Sequence, residues 1–205
     1  TGKSLPWETV GVSGDRTPAA EKALDDLRAA IAGAEAIVAG ISAGQWGAPT
    51  PCTDVDVRAL VNHLVTGNLH FAALISGSLV PEGEEDHLGA EPAEAFRVAA
   101  ACLTSALGAP GVLDRTYRLP TGQVPGLDLI EIRLIEHLGH GWDLAKATEQ
   151  PVPFPNDLAE RGLAVARRQL ENRRAGGSTA FGAEVEVPAH APAIDRLAGF
   201  LGRGA

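Results

Sequence analysis

The sequence contains little lysine, little cysteine and no long apolar run. Only three of its 205 residues are lysines, and 17 basic residues against 26 acidic ones give a formal net charge of −9. Nucleic-acid-binding proteins normally carry a basic stripe, so we expect no nucleic-acid partner. No apolar stretch reaches the roughly 20 residues that a membrane-spanning helix needs, and no signal peptide is visible. Two cysteines, Cys52 and Cys102, cannot form a disulfide framework. We therefore expect a cytoplasmic protein without a membrane partner.

Apolar residues recur at intervals of three and four residues in several long segments, which is the period of amphipathic α-helices. The predicted helices cover approximately 18–42, 54–77, 91–107, 127–148 and 156–173, with a short last helix near 194–201. Short strands are predicted at 115–119 and, from alternating valines, near 184–187. Four long amphipathic helices in succession favour a mainly α fold, an antiparallel four-helix bundle with a short C-terminal helix and strand extension.

The chain divides into three predicted parts, separated by changes in composition. These are an N-terminal arm (1–17), the four-helix bundle (18–150) and a C-terminal extension packed on the bundle (151–205). Residues with capping side chains precede three of the helices. Thr17 is the predicted N-cap of the first helix, Thr53 or Asp54 that of the second, and Asn156 that of the fifth.

Glu136 and His140 form the first candidate site. They are four residues apart in a segment that is apolar on all sides, which predicts a buried helix with both side chains on one face. A carboxylate and an imidazole at that spacing can chelate one divalent metal, which would also offset the cost of burying both groups. The alternative is a Glu–His pair that is hydrogen-bonded near a helix end, a common outcome for this spacing.

His63 is the predicted third ligand. It shares one face of the second helix with Leu60 and Leu74, so it should point into the bundle. Two ligands from one helix and one from another would leave an open coordination position, as catalytic zinc requires. The alternative is a core histidine that is satisfied by a hydrogen bond.

Three segments resemble one protein family. They are PTPCTDVDVRALVNHL (49–64), EHLGHGWDLA (136–145) and the ending VPAHAPAIDRLAGFLGR (187–203). They are similar to segments of actinobacterial metal-binding proteins related to mycothiol-dependent maleylpyruvate isomerase, within the DinB-like four-helix-bundle superfamily. The resemblance covers approximately 18–205.

This resemblance implies a divalent metal, usually zinc, held by His63, Glu136 and His140. It also implies a low-molecular-weight thiol, mycothiol, as a cofactor, and an isomerase or thiol transferase acting on a small electrophilic substrate. One departure is Val55, where the family usually has tryptophan, and this smaller side chain could open the pocket.

Six further residues receive predicted roles. His70, two turns beyond His63, is a candidate catalytic proton donor or acceptor, with a satisfied core histidine as the alternative. Arg133 is a candidate for binding an acidic substrate, as are Arg115 and Arg118. Asp143 could orient the metal-bound His140 imidazole. His137 is expected to pack or to support the metal ligands without binding the ion itself. The other assignments place Asn68 on the helix surface and His87 in a solvated loop.

Two further hypotheses about function stay open beside the thiol-dependent enzyme. One is a thiol-independent metalloenzyme, a cyclase, lyase or hydrolase that tailors a specialised metabolite. The other is a non-catalytic module that binds a metal or ligand. Each involves a small molecule, and each is compatible with a monomer or a homodimer.

Overall fold

The computed structural model describes residues 16–79, 85–119, 122–175 and 182–204, so most of the predicted N-terminal arm lies outside the described residues. The described chain is mainly helical, which confirms the predicted fold class. Its helices are α1 (Pro18–Ala39), α2 (Val57–Ser76), α3 (Pro92–Gly108), α4 (Gly126–Ala147), α5 (Asn156–Ala175) and α6 (Ala193–Phe200). Its strands are β1 (Thr116–Leu119) and β2 (Gly122–Pro125).

The first four helices form a ring in which α1 and α2 each pack against both α3 and α4. Apolar side chains from all four fill the centre, and the most buried include Leu27, Leu60, Phe96, Leu103 and Leu129. α5 and α6 cover the outer side of α4. Because α4 therefore has neighbours on several sides, it is buried around most of its circumference, as its apolar sequence predicts. None of the helices in the described ranges is long and apolar enough to cross a membrane.

Helix starts follow local capping chemistry, with two corrections. The Thr17 hydroxyl accepts a hydrogen bond from the Ala20 N–H at 3.2 Å, as predicted. The N-cap of α2 is Asp56 instead of Thr53 or Asp54, and its carboxylate accepts from the Ala59 N–H at 2.8 Å. Asp54 instead occupies a left-handed turn at φ 61°. Asn156 is the first residue of α5 and not its predicted N-cap, because its side chain accepts from the Ala193 N–H at 2.9 Å and so links α5 to α6.

The predicted strand near 115–119 is confirmed as β1. It pairs with β2 in an antiparallel hairpin in which Tyr117 lies opposite Val124, and both side chains are buried. The second predicted strand is wrong, because residues 182–188 form no strand. There the Val185 N–H donates to the Gly199 carbonyl at 2.9 Å, which ties this segment to the end of α6.

Candidate metal centre

Three predicted ligand side chains meet where α2 packs against α4. The Nε2 atom of His63 lies 3.0 Å from the Oε2 atom of Glu136, and the Nε2 atom of His140 lies 3.1 Å from the same oxygen. One ligand atom from each residue lies within 4.8 Å of the other two. The helical period places Glu136 and His140 on one face of α4, and the packing of α2 on α4 adds His63.

The cluster is buried on one side and open on the other. The side-chain exposure is 8% for His140 and 17% for Glu136, but 55% for His63. A cavity of about 1180 Å³ opens beside them. Its wall includes the entry loop of α2, one face of α2 and part of the C-terminal tail, namely Pro51–Val55, His63, Thr66, Gly67, His70, Gly182 and Leu201–Arg203.

Opposite charges stabilise the ionised forms of the cluster. Burial alone would raise the pKa of Glu136, but hydrogen bonds from His140 and His63 hold it well below its ordinary value. Burial alone would lower the pKa of His140, but its hydrogen bonds to Asp143 and Glu136 raise it. Without a metal, Glu136 is therefore an anion at neutral pH, and the imidazole between the two carboxylates tends to hold a second proton.

The donor set fits a zinc-type ion. Imidazole nitrogen and carboxylate oxygen bind Zn²⁺ at about 2.0–2.2 Å, so two ligands of a tetrahedral ion lie about 3.3–3.5 Å apart. The separations from Glu136 to the two histidines, 3.0 and 3.1 Å, need to widen by only a few tenths of an ångström. Side chains that touch an open cavity can make that adjustment.

A second group of possible ligand atoms, from Cys52, His140 and Asp143, also falls within 4.8 Å. It fits a metal less well. Burial raises the pKa of the Cys52 thiol, which disfavours the thiolate that a metal needs. The Nδ1 atom of His140 and the Asp143 carboxylate are also hydrogen-bonded to each other at 3.1 Å.

Behind His140 lies a buried polar chain. Asp143 is fully buried, and its Oδ2 atom accepts from the Nδ1–H of His140, which leaves Nε2 directed towards the cluster. Arg203, from the C-terminal tail, donates to both carboxylate oxygens of Asp143 at 2.9–3.2 Å. The sequence predicts the position of Asp143, one turn after His140. It contains no signal for Arg203, because 60 residues separate the two partners.

His70 lines the cavity, as its place on the His63 face predicts. It is half-buried, and its Nε2 atom is shielded from solvent without a hydrogen-bond partner in the described part of the chain. A side chain that donates or accepts a proton only when a ligand is bound would have this environment. His87 lies in a loop, as predicted, but it is half-buried with a shielded Nε2 atom, so the expectation that it is solvated is wrong.

Arg133 does not line the cavity. Its side chain is buried between α2 and α4, where it donates to the Leu64 carbonyl at 3.2 Å and to the Asn68 side chain at 3.0 Å. Its guanidinium also lies 5.5 Å from the centre of the Phe71 ring. This placement corrects the expectation of direct substrate contact, because the neighbouring side chains cover the charged group.

The other two candidate arginines, Arg115 and Arg118, are exposed on the hairpin and are also absent from the cavity wall. The sequence pattern identified them only by charge. Arg118 alternates with the buried Tyr117 along β1 and so faces outwards, and the Arg115 guanidinium lies 5.8 Å from the centre of the Tyr117 ring.

His137 points away from the cluster, as its spacing predicts, and is fully buried. Its Nε2 atom lies 3.0 Å from the Asn68 side-chain oxygen, and its ring meets the edge of Phe96 at 5.9 Å. Burial holds the pKa of His137 well below its ordinary value, so it is neutral. Asn68 is fully buried, which corrects its assignment to the helix surface.

Comparison with known proteins agrees with the resemblance seen in the sequence. A family model described as the mycothiol maleylpyruvate isomerase N-terminal domain matches residues 27–145. The chain belongs to this family. The matched region contains all three residues of the metal cluster and Asp143, and it ends before the tail that carries Arg203.

Similar proteins include two uncharacterised proteins of Mycobacterium tuberculosis, one from strain CDC 1551 / Oshkosh and one from strain ATCC 25618 / H37Rv. Each is 36% identical over 168 residues, which cover 82% of this chain and 90% of the relative. No solved structure matches the chain at a significant level. The comparisons therefore establish a mycothiol-related family and do not assign a reaction.

Proposed function

We propose that this family member is a divalent-metal enzyme, with zinc as the ion and mycothiol as the thiol cofactor. The enzyme either isomerises a small electrophilic substrate or transfers the thiol to it. The observation that carries the proposal is the convergence of two imidazole nitrogens on one carboxylate oxygen beside an open cavity. The family description supports the choice of thiol.

His63, Glu136 and His140 would hold the ion, and three protein ligands leave a coordination position for a small molecule. A bound divalent cation would supply Lewis acidity and lower the pKa of a coordinated thiol. Glu136 serves as a ligand in this arrangement, because both histidines already approach its carboxylate. A different residue must therefore exchange protons with the substrate.

His70 is the residue that we propose for proton exchange. It lies seven residues after His63 on the same helix, about 10 Å along the axis, so it is too distant to bind the same ion. It faces the same cavity, which at about 1180 Å³ exceeds the usual size of a small-molecule site, and this leaves room for a thiol and a second substrate together.

The first test is metal content and thiol binding. The untagged protein is expected to purify with close to one equivalent of zinc, and His140→Ala to lose it. His190→Ala is the matched control, because His190 is exposed, belongs to neither group of possible metal ligands and does not line the cavity. In cobalt-substituted protein, added mycothiol should change the visible absorption of the metal.

The outcomes separate the competing functions. Stoichiometric metal without a spectral response to mycothiol would reject the thiol and favour the thiol-independent metalloenzyme. Absence of metal binding at any pH between 6 and 8 would reject the enzyme proposal as a whole.

A further inference from the structure

We propose that Arg203 is a positioning residue of the metal centre, supplied by a tail that lies outside the matched family region. In this proposal Arg203 fixes the Asp143 carboxylate, and Asp143 in turn fixes the His140 ring so that Nε2 faces the ion. The inference rests on the proposed function, since it assigns Arg203 a role at the same metal site.

The contacts form a continuous chain from the tail to the cluster. Arg203 donates to Asp143 through both Nε and Nη2, and its Nη1 donates to the Leu201 carbonyl at 2.8 Å. Asp143 then accepts from the Nδ1–H of His140 at 3.1 Å. The guanidinium plane is held at three nitrogens, so it offers Asp143 only one orientation.

Charge balance makes this contact necessary. Asp143 is fully buried, and the His140 ring lies between its carboxylate and that of Glu136. A buried carboxylate without a cationic partner is strongly unfavourable. Arg203 is itself 7% exposed and supplies the compensating charge beside His140, with its Nη2 atom 3.4 Å from the Nδ1 atom of that ring. A carboxylate fixed in this way keeps its place beside the Nδ1 atom of His140, at 3.1 Å.

The turn at the end of α6 directs the Arg203 side chain towards Asp143 and the metal cluster. The Gly202 N–H donates to the Gly199 carbonyl and the Arg203 N–H to the Ala198 carbonyl, which is the Schellman arrangement at a helix end. Gly202 has φ +88°, and a Cβ atom there would lie 2.7 Å from the Cα atom of Gly182. Only glycine fits this turn, and the turn directs the next side chain inwards.

The need to hold the C-terminal tail on the bundle does not by itself explain the contact between Arg203 and Asp143. α6 is already held to α4 by the hydrogen bond from the Trp142 indole to Asp195 at 2.7 Å. It is held to α5 by the ion pair between Arg196 and Glu160. These contacts do not touch the metal cluster, so they provide a control for anchoring alone.

The test compares Arg203→Met, Arg203→Lys and the control Arg196→Met. Zinc affinity is measured by competition with a chromophoric chelator, and unfolding of the metal-free protein by urea. Arg203→Met should weaken zinc binding by about 10–100-fold, as outer partners of metal-bound histidines typically do. Arg203→Lys keeps the charge and should recover part of the loss. Arg196→Met should bind zinc as wild type does, even if it unfolds more easily.

A double-mutant cycle with Asp143→Asn tests whether Arg203 acts through Asp143. Zinc affinity of the double variant should then equal that of Asp143→Asn alone. Independent, additive losses would overturn the proposal, as would wild-type affinity in Arg203→Met.

Proton NMR of the metal-free protein separates this inference from the proposed function. A slowly exchanging Nδ1–H resonance of His140 is expected in wild type and in Arg196→Met, and its loss is expected in Arg203→Met. If wild type binds no metal, the proposed function fails, while the NMR comparison still decides whether Arg203 positions His140. An unchanged resonance in Arg203→Met would overturn the positioning role.

Discussion

Two polar clusters lie between α2 and α4, and they differ in access to solvent. The metal cluster comprises His63, Glu136 and His140, and its exposed histidine faces the cavity. We name the second one the arginine cluster; it comprises Asn68, Arg133 and His137, and all three are buried.

The two clusters also differ in how their polar atoms are satisfied. In the metal cluster both Nε2 atoms approach one carboxylate oxygen. In the arginine cluster the Asn68 Oδ1 atom serves both neighbours. Asn68 Nδ2, Arg133 Nε and His137 Nδ1 have no partner in the described ranges. The same helix pair thus provides one cluster that is open to a cavity and one that is closed to solvent.

The largest effect is expected from Glu136→Gln, which should weaken zinc binding by more than about 100-fold, because outer partners alone contribute 10–100-fold. Glu131→Gln is the matched control. Glu131 lies on the same helix and is buried, but it pairs with Arg168 and Gln169 of α5. Competition with a chelator measures the zinc affinity of both variants. Equal affinities in the two variants would contradict the assignment of Glu136 as a ligand.

Asn68→Ala should produce the reverse pattern. It removes the shared acceptor of Arg133 and His137 and leaves both buried, at a cost of about 2 kcal/mol in the free energy of unfolding. Zinc affinity should remain unchanged. Urea denaturation of the metal-free protein measures the cost, with Asn62→Ala as a control because Asn62 is only partly buried. A loss of zinc binding in Asn68→Ala would mean that the two clusters are not independent.

A plot of the unfolding free energy against pH should have an alkaline limb that comes from the metal cluster and an acid limb that comes from the arginine cluster. The pKa of His140 is raised, so the contribution of His140 to the free energy of unfolding is complete below the ordinary pKa of 6.5. This contribution is lost as pH rises through the raised pKa. The pKa of His137 is lowered, so its contribution is complete above 6.5 and is lost as pH falls towards the lowered pKa. Each limb has a slope of up to about 1.4 kcal/mol per pH unit.

Urea midpoints of metal-free protein between pH 5 and 8 should show both limbs. His137→Gln should flatten the acid limb near pH 6. Saturating zinc should remove the alkaline limb, because the metal displaces the proton of His140. An alkaline limb that persists with zinc would show that His140 does not bind the ion.

The smallest effect is expected from Val55→Trp, which restores the usual residue of the family. Val55 is half-buried at the cavity wall and is not a ligand, so stability should change by less than about 1 kcal/mol and zinc affinity should not change. In cobalt-substituted protein, mycothiol should bind several-fold more weakly, while 2-mercaptoethanol should bind equally well. Equal binding of both thiols would show that the ring does not narrow the cavity.

Properties with a local period were predictable from the sequence. The helical repeat located the first four helices to within about three residues, and it placed Glu136 and His140 on one face. His63 was selected because it shares a helix face with Leu60 and Leu74, but the expectation that it points into the bundle is wrong, because 55% of its side chain is exposed. Adjacent side chains on a helix are related by fixed geometry, so these inferences need no knowledge of packing.

Side-chain environment was harder to predict. Arg133 and Asn68 are polar residues that usually lie at the surface, and here they are buried against each other. Thr53, Asp54 and Asp56 are all suitable N-caps, and the choice of Asp56 depends on how the preceding loop folds back, with the Val57 N–H bound to the Ala48 carbonyl at 3.0 Å. Composition alone cannot decide between such neighbours.

The sequence by itself determined the helices, the family and the pairing of Glu136 with His140 on one face of α4. Only the tertiary structure placed α2 beside α4 and returned the tail so that Arg203 meets Asp143 across 60 residues. The physical reason is that a helix face depends on neighbouring residues, whereas the order of helices in the ring and the partner of a buried charge depend on how distant surfaces fit together.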